Sequence, residues 1–308
     1  MKKLLSILLA LFMVISFAGC NQQTVQNDDP KTITVTEVGV NSTKREGIQI
    51  PTYITLPADY AAENTYPLVI MIHGHHGNHN EWGGYDAISN GLAENGIITV
   101  TLDFSGCDKS TESIALNALS NFKADVSDVL NYMKSEYKIS KVGGFGYSMG
   151  GRIILEMLAE DMVTFDAIEF VAPAESTEDL KNFLGGVDGW ATMSAHARET
   201  GEMASFQSVF GEQLLSALFF DDIERYMDAD NLAGQAAAKY NGPSLTIYAT
   251  NDTIVSPAVS QKVADAFHST TVTINNCDHS YSFYYDDPVT KAVVNDSSID
   301  FFVANLKG

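Results

Sequence analysis

The stretch Gly146-Tyr147-Ser148-Met149-Gly150 constrains the fold of this chain more than any other. An apolar run, Lys141 to Phe145, leads into it, and a helical pattern, Arg152 to Ala159, leads out. The order is strand, tight turn, helix, with a serine at the tip. A serine hydroxyl is a poor nucleophile unless it is exposed and held against a base. A sharp strand-to-helix turn lifts the Oγ above the sheet edge, and the helix N-terminus supplies positive dipole and free N–H groups for a developing oxyanion. Gly146 and Gly150 lack the Cβ atoms that would collide in so strained a turn, and Gly151 eases the helix onto the sheet. A glycine-rich turn with an idle surface serine would need no companions. A nucleophile needs a base, an acid and an oxyanion hole.

The surrounding pattern is that of an α/β protein. Ile33 to Val40 and Ile48 to Leu56 alternate apolar and polar side chains, as antiparallel strands do, and Pro57 closes the second. Leu68 to Ile72 is continuously apolar, as in a strand covered on both faces, and Ile97 to Leu102 reads the same way. Tyr85 to Glu94 is helical between them. Leu116, Leu119, Phe122, Val126, Val129 and Met133 then fall at three- and four-residue steps, which predicts a long amphipathic helix. Val142 to Phe145 and Ala167 to Val171 are the next strands. Such alternation predicts a mostly parallel sheet flanked by helices, with right-handed crossovers and its site at the carboxyl ends of the strands.

After Pro173 the alternation stops until Leu245 to Ala249, a gap of about 70 residues, far more than a crossover needs. An insertion over about 174–241, placed after the sixth strand and rich in Phe, Trp and Met, is expected to form a helical cap. Some of its aromatic residues would pack against the sheet and others would line a pocket over the serine. Pro257 to Phe267 (helix), Thr271 to Asn275 (strand) and Val289 to Leu306 (helix) complete the domain, which spans 31–308.

His279 follows the last strand, where a loop can swing its imidazole over the serine turn and let Nε2 take the Oγ proton. The imidazole in turn needs a carboxylate to fix its tautomer. Asp252, after the strand ending at Ala249, gives the order Ser…Asp…His and is the preferred acid. Glu175, just after the sixth strand, is the rival, whereas Asp278 adjoins the histidine and would point away from it. The oxyanion hole is expected from the backbone N–H groups of Met149 and of His75, in the glycine-bearing loop His73-Gly74-His75-His76-Gly77. The histidines of that loop and His79 lack the carboxylate or cysteine partners that would complete a metal cage, so neither a metal nor a cofactor is expected.

Lys2 and Lys3 precede an apolar stretch, Leu4 to Phe17, too short for an ordinary transmembrane helix. It ends Phe17-Ala18-Gly19-Cys20, which resembles the lipobox of bacterial lipoproteins. The resemblance implies a signal peptide over 1–19, lipidation of Cys20, a polar tether over 20–30, and export with a lipid anchor in the bacterial membrane or at the cell surface. Ordinary secretion with cleavage nearby is the alternative. The chain has 18 Lys and Arg against 39 Asp and Glu, a net charge of −21, which argues against nucleic acid or another polyanion as partner. With Cys20 acylated, Cys107 and Cys277 are left either paired or as two buried thiols. Oligomeric state is left open.

The assembled pieces resemble the α/β-hydrolases. These are His73-Gly74-x-x-Gly77-Asn78, Asp103-Phe104-x-Gly106, Gly146-x-Ser148-x-Gly150-Gly151, Ala172-Pro173-Ala174 and Asn251-Asp252-x-x-Val255-Ser256-Pro257 with Asp278-His279. Within that superfamily the chain is most similar to the cinnamoyl and feruloyl esterases and the serine-aminopeptidase-like hydrolases. The resemblance implies a serine hydrolase acting on a small carboxylic ester, with Ser148 as nucleophile, His279 as base, Asp252 as orienting acid, and His75 and Met149 as oxyanion donors. A peptidase, acylglycerol lipase or thioesterase on the same triad is the nearer alternative, and a non-catalytic lipid-anchored binding protein the remoter one.

Overall fold

The computed structural model describes residues 32–285 and 287–307. The expected leader, Cys20 and the polar tether lie outside these residues. In chain order the elements are β1 (Thr34–Asn41), β2 (Gln49–Leu56), β3 (Tyr66–Ile72), α1 (Asp86–Glu94), β4 (Ile98–Leu102), α2 (Leu119–Glu136), β5 (Ile139–Tyr147), α3 (Met149–Ala159) and β6 (Ala167–Val171). The insertion follows with α4 (Thr177–Phe183), α5 (Gly186–Thr200), β7 (Ala204–Ser208), β8 (Gly211–Leu215) and α6 (Ala217–Ile223). The chain then completes α7 (Leu232–Ala237), β9 (Ser244–Ala249), α8 (Pro257–Phe267), β10 (Thr270–Ile274) and α9 (Pro288–Leu306).

Eight strands form one sheet in the order β1-β2-β4-β3-β5-β6-β9-β10. Only the β1–β2 and β2–β4 pairs are antiparallel. The alternating sequences are thus the outer, antiparallel strands, and the continuously apolar ones form the parallel centre. In β3 every second side chain faces the opposite layer. Leu68, Ile70 and Ile72 join a core with Phe122, Val126 and Ile153 from α2 and α3. Val69 and Met71 join another with Ile88, Leu92 and Phe302 from α1 and α9.

The long amphipathic helix begins at Leu119, later than the periodicity suggests, and Leu116 falls in a preceding 3₁₀ turn, Ile114–Leu116. The chain is held off the helix there because Asn117 Nδ2 donates to Ser105 O at 2.7 Å, and Ala118 is extended. Local hydrogen bonds override apolar spacing at this boundary.

The insertion is not wholly helical. Between α5 and α6 the chain forms the hairpin β7–β8, turning at Val209 and Phe210, with Gly211 at φ 99°. Leu180, Trp190, Leu215, Phe219 and Ile223 continue the α2/α3-side core, so the insertion shares the main core. α7 packs against α3 and α8 and serves as the crossover helix into β9. No helix among the described residues is long and apolar enough to cross a membrane.

The core holds an acid with no basic partner among the described residues. Glu169 of β6 is fully buried, and Ser298 of α9 donates to its Oε1 at 2.6 Å. Burial pushes its pKa from 4.5 up to about 8. The unfolded chain releases this proton at ordinary glutamate pH, whereas the fold retains it until about pH 8. Its contribution is therefore fully present below the ordinary value and is lost as pH rises through that window. Glu169→Gln is expected to flatten the fall of unfolding free energy across this range by about 1.4 kcal/mol per pH unit, read by urea unfolding at several pH values. An unchanged slope would refute the assignment.

Candidate active site

Strand register brings the site together. Ile72 pairs with Gly146, and Tyr147 with Val171, so the loop from His73, the turn at Ser148 and the chain after β6 leave neighbouring strand ends. The next two strands, β9 and β10, deliver Asp252 and His279 to the same edge. Ser148 sits at φ 51°, ψ −114°, a conformation costing on the order of 1–3 kcal/mol for a residue with a side chain. Its neighbours over-determine it. Ser148 N donates to Val171 O at 2.9 Å, and Ala174 N to Ser148 O at 3.0 Å. A Cβ on Gly146 would lie 2.7 Å from Gly150 C, and one on Gly150 would run into the carbonyl of Ile72, so both positions require glycine.

Ser148 Oγ lies 2.9 Å from His279 Nε2, and His279 Nδ1 lies 2.8 Å from Asp252 Oδ2. The carboxylate only accepts, so Nδ1 carries the proton and Nε2 is left as the acceptor for the serine O–H. Asp252 is itself held: Oδ1 accepts from Ile254 N and Val255 N, both at 2.9 Å, and Oδ2 from Tyr281 OH at 3.2 Å. All three members are buried, none more than 9% exposed. Glu175, the rival acid, is engaged elsewhere, with Lys262 Nζ at 2.7 and 3.0 Å and Ala233 N at 3.3 Å. Asp278 accepts from Ser280 and from Tyr285 OH, away from the imidazole.

His75 and Met149 both line the cavity beside Ser148. Met149 is the first residue of α3, where an N–H has no partner within the helix. His73 braces the same loop: Nδ1 donates to Gly74 O at 2.7 Å and Nε2 accepts from Phe104 N at 3.4 Å. Burial pushes the His73 imidazole down to about 4, which keeps it neutral for both roles. Among the described residues, only His79, Asp103 and Asp108 bring donor atoms close enough to share a cation. Asp103 already accepts from Tyr53 OH, at 2.8 Å, and His79 N, at 2.7 Å.

Cys107 and Cys277 are both buried and free. Asn117 Nδ2 faces Cys107 Sγ at 3.5 Å, and burial pushes this thiol up to about 12. Cys277 Sγ donates to Asp278 O at 3.3 Å, and burial raises it to about 11. The two sulfurs serve separate loops.

Over the serine lies a cavity of about 520 Å³. The tip of the β7–β8 hairpin overhangs it: the Phe210 ring is 6.5 Å from that of His279 and 6.2 Å from that of Tyr284. Trp82, Phe183 and Tyr285 complete an aromatic wall. The acidic residues lining the cavity are Asp179 and Asp278. Two features escaped the sequence reading. Tyr147, inside the serine motif, donates from its hydroxyl to His279 O at 2.5 Å, and Tyr281 steadies Asp252. The alternation of β5 hints at the first, since Tyr147 and Phe145 share a face. The second depends on the fold of the loop after β10 and has no local signal.

A family model described as the α/β hydrolase fold matches residues 67–193. The chain is an α/β-hydrolase-fold protein. Among solved structures of this α/β-hydrolase fold it is similar to Est1E from Butyrivibrio proteoclasticus with ferulic acid bound. The TM-score is 0.70 at 20% identity, covering 88% of this chain and 100% of that one. It is also similar to a monoacylglycerol lipase from Paleococcus ferrophilus, with TM-score 0.63 at 13% identity, covering 89% and 99%. An acylaminoacyl peptidase from Pyrococcus horikoshii gives TM-score 0.64 at 13% identity over 90% of this chain and 42% of that one. Such α/β-hydrolase-fold proteins share a scaffold across several chemistries, so the site itself must supply the functional argument.

Proposed function

We propose that this protein is a serine esterase that cleaves small carboxylic esters through an acyl-enzyme, with Ser148 as nucleophile, His279 as base and Asp252 as orienting acid. The observation that carries the reading is the unbroken Ser148–His279–Asp252 line at 2.9 and 2.8 Å. Ser148 Oγ adds to the ester carbonyl while its proton passes to His279 Nε2, and Asp252 stabilises the imidazolium. The tetrahedral oxyanion rests on the His75 and Met149 N–H groups. Collapse expels the alcohol, which leaves with the proton from Nε2. Water, deprotonated in turn by His279, then releases the acid and restores Ser148.

The aromatic wall of Trp82, Phe183, Phe210, Tyr284 and Tyr285 favours an aromatic acyl group, since flat rings gain about 0.5–1.5 kcal/mol per ring contact beyond area burial. Likeness to a protein with ferulic acid bound points the same way. The test is hydrolysis of methyl ferulate and methyl caffeate beside short- and long-chain p-nitrophenyl esters. Turnover of the aromatic methyl esters is expected. Turnover of aliphatic acyl groups alone would keep the triad and replace the substrate class. Labelling of Ser148 by a fluorophosphonate with no ester turnover would favour a peptidase.

A further inference from the structure

Behind the loop that carries His75 lies an acid that the reaction above does not use. Glu81 is fully buried. It and Trp82 are consecutive non-glycine residues at φ 47° and 56°. Two adjacent residues in the left-handed region persist only where neighbours hold them. Here Asn78 does so, its O accepting from Glu81 N at 3.0 Å and its Oδ1 from Trp82 N at 2.8 Å. The strained turn drives the Glu81 carboxyl inward. Oε1 accepts the N–H of Gly74, one peptide before His75, and occupies the space a side chain at Gly77 would need, 2.5 Å from the Cβ position. Tyr284 OH lies 2.8 Å from Oε2 and 3.5 Å from Tyr147 OH, which donates to His279 O at 2.5 Å. A single string of polar groups therefore joins the His75 loop to the His279 loop.

Resting on the esterase reading, we propose that Glu81 is a positioning residue that locks these two loops together, and that it does so in its protonated form. The count of protons favours that form. With Glu81 ionised, the Tyr284 proton turns to Oε2 and the Tyr147 proton to His279 O, so nothing lies between the two phenol oxygens and the string is broken. With Glu81 protonated, Oε2–H donates to Tyr284, Tyr284 to Tyr147, and Tyr147 to His279 O, while Oε1 still accepts from Gly74. Ionisation also sets a negative charge one residue from the N–H that must receive the oxyanion. Groups facing the carboxyl agree with a neutral acid: Tyr85 just before α1, Tyr147 from β5, Tyr284 from the loop after β10 and Cys107 from the loop after β4. Burial pushes Glu81 up to about 7, against the downward pull of Gly74 and Tyr284.

Because the protonated form is the competent one, kcat should fall as pH rises through the Glu81 titration, giving an alkaline limb near neutrality. Glu81→Gln keeps a permanent donor toward Tyr284 and an acceptor for Gly74. Its kcat should rise with pH to a plateau and exceed wild type by about ten-fold at pH 9, from removal of the like charge. Glu81→Ala should lower kcat by about ten-fold or more with little change in KM, because the loops lose their link while the cavity wall stays. An alkaline limb in Glu81→Gln identical to that of wild type would overturn the proposal, whatever the variant's stability. Infrared difference spectra of the intact protein give a readout independent of turnover. A protonated carboxyl band that titrates near neutrality and vanishes in Glu81→Gln is expected. No protonated-carboxyl difference between wild type and Glu81→Gln at pH 6 would overturn the proposal, and such a difference in a protein that hydrolyses no ester would locate the failure in the esterase reading.

Discussion

Ser148→Ala is expected to lower kcat for ester hydrolysis by about 10⁴-fold or more while leaving KM within a few-fold of wild type. Its Oγ is hydrogen-bonded to the imidazole at 2.9 Å, and most of the cavity wall comes from other residues. His279→Ala should cost as much, and the double variant little more, because the two groups act as one unit in the same step. Asp252→Asn should also cost about 10⁴-fold, since an amide can donate to Nδ1 and so hold the wrong tautomer. Steady-state kinetics on a p-nitrophenyl ester, with folding checked by circular dichroism, would read all four. Near-normal turnover by Ser148→Ala would end the acyl-enzyme account. Residual activity well above the uncatalysed rate is compatible with it, because the oxyanion donors survive.

Arg152→Met is expected to destabilise the fold by about 3–5 kcal/mol, the cost typical of breaking a buried charged network from one side. Arg152 lies one turn beyond Ser148 in α3 and is fully buried. Its Nε donates to Glu156 Oε1 at 3.1 Å, a single ion pair within the helix. The other nitrogens reach the chain at both ends of the insertion. Nη1 donates to Glu175 O at 3.0 Å, and Nη2 to Ile223 O and Tyr226 O at 3.0 and 3.1 Å. One guanidinium thus ties the chain entering the cap to the chain leaving it, and both to the helix that follows Ser148. Methionine fills the volume but takes the guanidinium donor from the Glu175 and Ile223 carbonyls, each a loss of about 1–3 kcal/mol before relaxation, while Tyr226 O keeps Thr177 Oγ1 at 2.6 Å. Arg152→Lys should rescue little, because an ammonium cannot span the same fork of acceptors. Urea unfolding would read the loss, and a change below about 1 kcal/mol would contradict it. Activity should fall too, since Phe210 is carried over His279 by the same insertion.

The serine, the histidine and the sheet were legible because each rests on short-range pattern. Glycines at 146 and 150 can be read as a strained turn, and a continuously apolar run such as Leu68 to Ile72 as a strand covered on both faces. The acid was less so. Asp252 and Glu175 both follow strands at the right edge, and sequence order alone favours the first without saying where the second goes. What separates them is Lys262, which approaches Glu175 from α8, 87 residues away in sequence. The hairpin in the insertion was missed for a related reason. Its strands are five residues each and carry weak alternation, and their pairing is held by packing against α5 as well as by the turn.

By itself, then, the sequence determined the order of elements in the main sheet, the strained serine turn and which side chains follow the neighbouring strands, because these follow from backbone sterics and hydrophobic periodicity over a few residues. Only the tertiary structure decided which carboxylate meets the imidazole, that Phe210 closes the cavity, that Cys107 and Cys277 stay apart, and that Glu81 lies buried between two loops 203 residues apart at their Tyr284 contact. Those outcomes depend on desolvation and on the direction of single hydrogen bonds between distant segments, and neither quantity is encoded in local pattern.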